Sequence, residues 1–211
     1  MKNVKKVLII TFIMLIFLQT VCLASSDQVR LFLAEDFSNS SSAKQTISYA
    51  VWTFQNLGYN NVLGTNKYTI TNSKDVVLSY IKQRENNYAF FEFAHGADGR
   101  FNMSRDGNNA PQRIYSSDIS GNWHLVFLNS CEIMASNSMA SAFKTVGYSN
   151  RATLGWYKTV EVGACEEWWS HFYPIAGSTN LRSACLSAAD QSQGSTPIRI
   201  YGDKTWNGRA W

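Results

Sequence analysis

Two apolar stretches decide the fold: Tyr88-Ala-Phe-Phe-Glu-Phe-Ala94 and His124-Leu-Val-Phe-Leu-Asn129. Each is dominated by large apolar side chains, which is typical of a strand that is covered on both faces in a parallel sheet. The first stretch ends at His95-Gly96 and the second at Ser130-Cys131. Because parallel strands are joined by crossovers, usually through a helix, strands and helices should alternate along the rest of the chain.

The flanking sequence has this alternation. Further strands are predicted at residues 28–34, 152–156 and 198–201, and helices are predicted at residues 41–57, 73–85, 138–146, 166–172 and 181–191. Ser41, Ser42 and Ser73 offer hydroxyls that cap helix N-termini. The fold class is therefore α/β, with a mainly parallel sheet, helices on both faces and right-handed crossovers. The Gly- and Asn-rich segment 97–111 is expected to be an exposed loop with room for a short hairpin.

The amino-terminal residues have the pattern of a secretory signal peptide. Three lysines precede an apolar run over residues 7–18, and Ala24 is a small residue at a suitable cleavage point. This run of roughly 12 residues is too short for a membrane span, which takes about 20. We therefore predict a signal peptide over residues 1–24 and one secreted or extracytoplasmic domain over residues 25–211, without a membrane span in the mature chain.

The charge of the predicted mature domain is nearly balanced. The signal segment contains three of the 19 Lys and Arg residues and none of the 15 Asp and Glu residues, which leaves 16 against 15, or +1. The basic residues are scattered, so the positive stripe of a phosphate-binding surface is missing. We expect no nucleic-acid partner.

His95 and Cys131 are the candidate catalytic residues because both follow buried strands. In an open parallel sheet, ligands bind outside the carboxyl ends of the strands. If the two strands are neighbours, about 5 Å apart, imidazole and thiol can meet directly or through a substrate. An imidazole and the start of the following helix favour the thiolate, which is the nucleophilic form. Gly96 lacks a Cβ, so a substrate could approach its backbone, and the N–H groups of Gly96 and Cys131 could form an oxyanion hole.

The order of these motifs resembles a family of enzymes. Two apolar strands that end in His-Gly and Ser-Cys, in that order, are similar to the caspase-like cysteine peptidases of clan CD, which include caspases, gingipains, clostripain, legumain and CHAT domains. Leu154-Gly-Trp156 looks like the segment after the nucleophile in CHAT-type members, and Ile200-Tyr-Gly-Asp203 looks like the late Gly-Asp of gingipain-type domains. The resemblance extends from about Arg30 to Asp203.

The resemblance implies a three-layer caspase-like fold and a secreted cysteine endopeptidase that acts on peptides or proteins without a metal or cofactor. Cys131 would be the nucleophile, His95 the general acid and base, and the Gly96 and Cys131 amides the oxyanion hole. The substrate backbone would add a strand at the sheet edge and rest against Trp156. The residues implied for this contact are Leu154, Gly155, Trp156, Tyr157 and Lys158. Asn129-Ser-Cys-Glu-Ile stands where caspases have Gln-Ala-Cys-Arg-Gly, so caspase-type aspartate specificity is not expected.

Other interpretations of the same residues stay open. A histidine after a strand is often structural and a cysteine there is often a small buried hydrophobe, so the chain could be a binding or assembly protein that retains the caspase-like fold without turnover. A sortase-like transpeptidase would use Arg151 after His and Cys, but its all-β barrel does not fit the predicted helices. Papain-like enzymes place Cys before His in the chain, which is the reverse of the order here.

Several further residues are weaker candidates. Without Cys22 in the signal segment, an odd number of cysteines remains, so Cys165 and Cys185 could pair or each be a free buried thiol. His124 and His171 are expected to be structural. The remaining candidates are acidic or amide side chains: Glu161, Glu166, Glu167 and Asp190 could select Arg or Lys in a substrate, and Asp98, Asp106, Asn108 and Asn109 are expected to be solvated loop residues rather than calcium ligands.

Overall fold

A computed structural model of the chain describes residues 27–64, 67–82, 88–104, 112–192 and 197–210. The predicted signal peptide lies outside these ranges. The strands are β1 (Gln28–Ala34), β2 (Asn60–Asn61), β3 (Thr69–Thr71), β4 (Tyr88–Phe93), β5 (His95–Ala97), β6 (Arg100–Asn102), β7 (Arg113–Tyr115), β8 (Trp123–Asn129), β9 (Ala152–Trp156) and β10 (Ile198–Gly202). The helices are α1 (Ser41–Asn56), α2 (Lys74–Ile81), α3 (Ser138–Ala142), α4 (Val162–Phe172) and α5 (Leu181–Gln191), with short 3-10 turns at Glu35–Phe37 and Ser116–Asp118. Within the described ranges, no helix is long and apolar enough to cross a membrane.

The central sheet is mainly parallel, as predicted. Its strand order is β10-β9-β8-β4-β1-β2, and β3 also pairs with β1. Every pairing in this sheet is parallel except that of β10 with β9, which is antiparallel. The strands β5, β6 and β7 form a separate antiparallel sheet next to the end of β4. The α/β fold class is therefore confirmed, and the direction of β10 is a feature that the sequence pattern did not predict.

Helices cover both faces of the sheet. On β4, Phe91 and Phe93 face a core that also contains residues of α1, α4 and α5. Phe90, which points the other way, faces a core with residues of α2 and α3. Burying one such side chain stabilises the fold by about 1.5–3 kcal/mol. Two covered faces explain why β4 and β8 are continuous apolar runs rather than alternating ones.

Capping side chains set the starts of several helices. The Ser73 hydroxyl accepts a hydrogen bond from the Val76 N–H at the start of α2, as predicted. The cap of α1 is Ser40, one residue before the predicted pair, and its hydroxyl accepts from the Ala43 N–H. The Asn180 side chain caps α5 in the same way. These contacts satisfy backbone donors that have no partner within the helix.

The segment after β4 is more ordered than an exposed loop. Phe101 on β6 and Met103 just beyond it are fully buried, in the core on the α2 and α3 face. The hairpin that was allowed for in the sequence therefore exists as β5 and β6, and β7 extends it. The expectation of an exposed loop is wrong for these residues because their apolar side chains cover one end of the sheet; residues 105–111 lie outside the described ranges.

Gly202, at the end of β10, is required by a close backbone approach. Its φ is +95°, and a Cβ there would meet the main-chain oxygens of Arg151 and Thr145, the latter at 2.7 Å. Gly147 also has a positive φ, of +82°, but a Cβ there would have nothing within 4 Å. We predict that Gly147→Ala costs about 1–2 kcal/mol of unfolding free energy from backbone strain alone. Gly202→Ala should cost at least about 3 kcal/mol, because crowding adds to strain.

Urea denaturation of the two variants and the wild type measures these costs. Gly147→Ala is the matched control, since it has the same kind of backbone strain in open space. Equal destabilisation by the two substitutions would contradict the role given to the close approach at Gly202.

Candidate active site

The candidate catalytic residues lie at one edge of the sheet because three neighbouring parallel strands end there. In the registers of these strands, Leu33 of β1 pairs with Phe93 of β4, and Phe93 pairs with Asn129 of β8. His95 and Cys131 each follow two residues after the last paired position of their strands. The adjacency of β4 and β8 that the dyad requires is therefore confirmed.

The chain after β4 packs closely on the chain after β8. A Cβ on Gly96 would lie 2.5 Å from the Ser130 Cβ and 2.6 Å from the Cys131 carbonyl oxygen. Any side chain at this position would push the His95 segment away from the Cys131 segment. The sequence predicts that the missing Cβ of Gly96 leaves space for a substrate to approach the backbone. In the structure, the Cys131 segment fills that space.

The His95 imidazole has an acidic neighbour that the sequence reasoning missed. Its Nε2 lies 3.5 Å from Oδ2 of Asp36, and both side chains are partly exposed. The ring also contacts Phe37, with 4.6 Å between ring centroids. Asp36 and Phe37 belong to the short turn directly after β1, which ends beside β4. The rule that ligands bind outside the carboxyl ends of parallel strands applies to β1 as well as to β4 and β8. Asp36, which follows β1, could therefore have been predicted as a residue of this site.

The Cys131 sulfur contacts the backbone that leads into α4. The Val160 N–H donates to Sγ at 3.4 Å, and the Val160 carbonyl oxygen is also 3.4 Å from Sγ. The sequence predicts that the helix following Cys131 supports a thiolate, but α3 begins only at Ser138, and residues 131–137 form turns and bends. The helix start next to the sulfur is that of α4, whose N-terminus carries partial positive charge.

The residue after Cys131 has an uncommon backbone conformation. Glu132 has a φ of 57°, in the left-handed region that side chains other than glycine rarely adopt. The conformation is held by hydrogen bonds from the Glu132 N–H to the Lys158 carbonyl and from the Thr159 hydroxyl to the Glu132 carboxylate. Such strain persists where surrounding contacts fix it, and it turns the chain sharply directly after the thiol.

His95 and Cys131 line one small cavity of about 30 Å³. The other lining residues come from the ends of β1, β4 and β8 and from the start of α4: Phe37, Phe93, Ala94, Asn129, Val160, Val162 and Cys165. A cavity of this size has room for about one or two water molecules. The two residues predicted to form the dyad are thus brought together around a common space.

Asn129 is a buried polar residue of this cavity that sequence reasoning did not single out. Its Oδ1 accepts hydrogen bonds from the indole N–H groups of Trp156, at 3.2 Å, and Trp169, at 3.0 Å. Because an indole nitrogen only donates, these two contacts fix which end of the amide is the oxygen. Trp156 is fully buried, so it is a core residue that orients Asn129 and is not an open surface for substrate.

A second buried polar pair lies on the other face of the same strand ends. The Ser130 hydroxyl lies 2.8 Å from each carboxyl oxygen of Glu92 and 3.0 Å from the Ala94 carbonyl oxygen. Burial raises the pKa of Glu92 to about 8, and the Ser130 hydrogen bond opposes that effect. A protonated Glu92 carboxyl can donate a hydrogen bond to the Ser130 hydroxyl oxygen. The Ser130 hydroxyl can then donate its own proton to the Ala94 carbonyl oxygen. This pair therefore joins the ends of β4 and β8 directly beside His95 and Cys131.

The segment implied for substrate binding, Leu154 to Lys158, is largely used within the protein. Leu154, Gly155 and Trp156 are buried in β9, whose outer edge is occupied by β10. A Cβ on Gly155 would lie 2.6 Å from the Leu128 carbonyl oxygen. The Tyr157 N–H donates to the Pro197 carbonyl, and the Lys158 carbonyl accepts from Glu132. The place expected for a substrate strand beside β9 is thus taken by β10, and Tyr157 and Lys158 are the residues of this segment that reach the surface.

The remaining cysteines are free and buried. Cys165 and Cys185 form no disulfide, so the pairing that was left open is not made. Burial raises the pKa of the Cys165 thiol to about 12 and that of Cys185 still further. Neither thiol has the exposure that a nucleophile needs, whereas Cys131 is partly exposed.

Two of the other weak candidates, His124 and Asp98, have structural contacts. His124 is buried at the opposite end of β8, with Nδ1 3.8 Å from Oδ2 of Asp27, and burial lowers the pKa of its imidazole. His171 lies in the last turn of α4. Asp98 accepts hydrogen bonds from the N–H and hydroxyl of Ser136; Asp106, Asn108 and Asn109 lie outside the described residues. Among the described residues, no three His, Cys, Asp or Glu side chains are grouped as metal ligands.

The arrangement supplies the parts of nucleophilic thiol chemistry. A partly exposed thiol, an imidazole and a carboxylate beside that imidazole correspond to a nucleophile, a base and a group that orients the base. Comparison of the sequence with protein-family models and with curated proteins gives no match.

Selective alkylation should distinguish the cysteines. In the native protein, iodoacetamide should modify Cys131, while Cys165 and Cys185 should react only after denaturation, because they are 2% and 1% exposed. Peptide mapping by mass spectrometry measures the modification at each site, and Cys131→Ala is the control that removes the native reaction. Native modification at Cys165 as fast as at Cys131 would contradict this assignment.

The raised pKa of Glu92 predicts a pH dependence of stability. Its pKa is about 8 in the folded protein and near 4.3 when unfolded, so the folded state binds the extra proton between those values. The wild type should therefore be most stabilised below about pH 4 and lose stability as pH rises to about 8, relative to Glu92→Gln. The free energy of unfolding of the wild type minus that of Glu92→Gln should fall by at most about 1.4 kcal/mol per pH unit as pH rises through that window. Urea unfolding at several pH values measures it, and parallel curves would refute a protonated Glu92.

Proposed function

We propose that this chain is a secreted cysteine endopeptidase with a caspase-like domain, in which Cys131 is the nucleophile and His95 the general acid and base. The observation that carries the proposal is the shared cavity at the sheet edge that both residues line. The mainly parallel sheet with helices on both faces is compatible with a caspase-like domain.

In the proposed reaction, His95 accepts the proton of the Cys131 thiol, and the sulfur attacks the carbonyl carbon of the scissile peptide bond. The negative charge that develops on the carbonyl oxygen is stabilised by the N–H groups of Gly96 and Cys131; losing one such donor typically costs about 10²–10³ in kcat. His95 donates a proton to the leaving amine, which departs as the C–N bond breaks and leaves an acyl-enzyme. Water, deprotonated by His95, then attacks the thioester and releases the carboxylic acid and the thiol.

Asp36 and α4 support the two reacting groups in this scheme. Because His95 Nε2 faces Asp36 at 3.5 Å, Nδ1 is the nitrogen that exchanges protons with the reactants. The carboxylate orients the ring and stabilises the imidazolium that forms when His95 holds the extra proton. The Val160 N–H and the α4 N-terminus stabilise the thiolate of Cys131 by donating to it and by their positive electrostatic potential.

The alternative is a binding or assembly protein that retains the fold without turnover. The observation that favours it is that, within the described part of the chain, both hydrogen-bond contacts of the Cys131 sulfur are with Val160. In a working peptidase the Cys131 thiol must give up its hydrogen bond to the Val160 carbonyl oxygen when the thiolate forms. A binding protein needs no such change.

Substitution of the dyad tests the proposal. We predict that Cys131→Ala and His95→Ala each lower kcat/KM by at least about 10³-fold, and that the double variant is little worse than either, because the two residues serve one step. Activity is measured on a substrate selected from a peptide library, with circular dichroism to check folding. Cys185→Ala is the matched control, since it removes a buried thiol that does not line the cavity, and it should keep its activity.

The outcomes separate the two candidate functions. Undiminished cleavage by folded Cys131→Ala would refute the assigned nucleophile. Absence of cleavage by the wild type on every substrate would favour the binding protein.

A further inference from the structure

The cavity at the dyad has a specific place in the proposed reaction. The Cys131 sulfur bonds to the carbonyl carbon of the residue on the acyl side of the scissile bond, and the Cα of that residue is attached to the same carbon. The side chain of the acyl residue must therefore lie next to the sulfur. The cavity that Cys131 lines is a space beside the sulfur that could receive it.

The walls of this cavity are mostly apolar. Phe93 and Cys165 are buried, and Phe37, Val160 and Val162 are half-buried closer to the surface. Among the described residues that line it, none is an Asp, Glu, Lys or Arg. The acidic residues considered for selecting Arg or Lys, at positions 161, 166, 167 and 190, are not part of the lining. An Arg or Lys side chain would therefore be buried without a carboxylate, and an Asp carboxylate without a Lys or Arg, and burial of either charge in this way is strongly unfavourable.

Besides His95 and Cys131, Asn129 contributes a polar group to the lining of this cavity. Asn129 is 3% exposed, and its Oδ1 is held by two indole N–H groups, so Nδ2 is the end of the amide that is left. Within the described part of the chain, Nδ2 makes no close hydrogen bond. A weak hydrogen-bonding interaction of the amide with the Cys165 sulfur opposes the rise in the pKa of that thiol. Sulfur is a weak acceptor, so Nδ2 remains able to donate to a better one.

On the basis of the peptidase activity proposed above, we infer that this cavity selects a small uncharged residue, alanine or serine, on the acyl side of the cleaved bond. A space of about 30 Å³ accepts a methyl or hydroxymethyl group and excludes long or aromatic side chains. A serine hydroxyl can in addition accept from Asn129 Nδ2. Arg and Lys are excluded because no acidic residue lines the cavity, and Asp is excluded because one amide donor does not offset the cost of burying a carboxylate.

A series of peptidyl acyloxymethyl ketones that differ only in the residue next to the reactive group tests this inference. The rate of covalent labelling of Cys131 should be highest for alanine and serine and at least about 100-fold lower for aspartate, arginine and phenylalanine. Val162→Ala, which enlarges the cavity, should raise the leucine-to-alanine ratio of labelling rates by at least about 10-fold. Val162→Asp, which adds a carboxylate, should raise the lysine-to-alanine ratio similarly, and Val146→Asp is the matched control at an exposed position outside the cavity.

The outcomes distinguish this inference from the function on which it rests. Labelling of Cys131 that is fastest with aspartate, arginine, lysine or phenylalanine, or that is equal for all probes, overturns the inference while the peptidase proposal stands. Unchanged selectivity in both Val162 variants also overturns it. If no probe labels Cys131 in the folded wild type, the peptidase proposal fails and the inference fails with it.

Discussion

The candidate site depends on how closely the backbone after β4 approaches the backbone after β8. Gly96 makes this approach possible, because even a Cβ there would lie 2.6 Å from the Cys131 carbonyl oxygen. On one side of the contact the Ser130 hydroxyl links Glu92 to the Ala94 carbonyl, so a buried hydrogen-bonded pair holds the two strand ends together. The imidazole and the thiol can share a cavity only because these two segments are fixed relative to each other.

The core beneath the site supports the same geometry from the opposite face. Trp156 and Trp169 both donate to Asn129, and these indoles pack among the aromatic side chains that fill the space between the sheet and α4. The amide orientation at the cavity is therefore fixed by the packing of large buried rings. Another orientation of this amide would leave the two buried indole N–H groups without an acceptor, so these hydrogen bonds favour one arrangement of the core.

Much of the fold could be predicted from the sequence because the strong signals are local. β1, β9 and α5 have the predicted bounds, and β4 and β8 differ from theirs by a single residue at one end. Apolar runs and helical spacing arise from the solvent exposure of single elements, which one sequence contains. His95 and Cys131 could be proposed as neighbours because each directly follows such a run, and a parallel sheet brings the carboxyl ends of its strands to one edge.

The features that could not be predicted depend on contacts between distant parts of the chain. Whether β10 runs parallel or antiparallel to β9 is decided by how the chain returns from α5. The strand β10 occupies the edge of β9 at which a substrate strand is expected from the sequence. Asn129 and Glu92 look like ordinary polar residues at strand ends until the indoles and Ser130 are placed against them. The single-turn segment with Asp36 has no periodicity, so its contact with His95 follows only from the pairing of β1 with β4.

The central claim is that the Gly96 and Cys131 segments form one site that binds a tetrahedral carbon on the Cys131 sulfur. A crystal structure of the protein with a peptide aldehyde ending in alaninal tests it most directly, because addition of the thiol to the aldehyde gives a thiohemiacetal that resembles the reaction intermediate. We expect a bond from Cys131 Sγ to the former carbonyl carbon, with the oxygen of that carbon about 2.7–3.1 Å from the Gly96 and Cys131 nitrogens. An adduct on another residue, or an oxygen that points away from both amides, would contradict it.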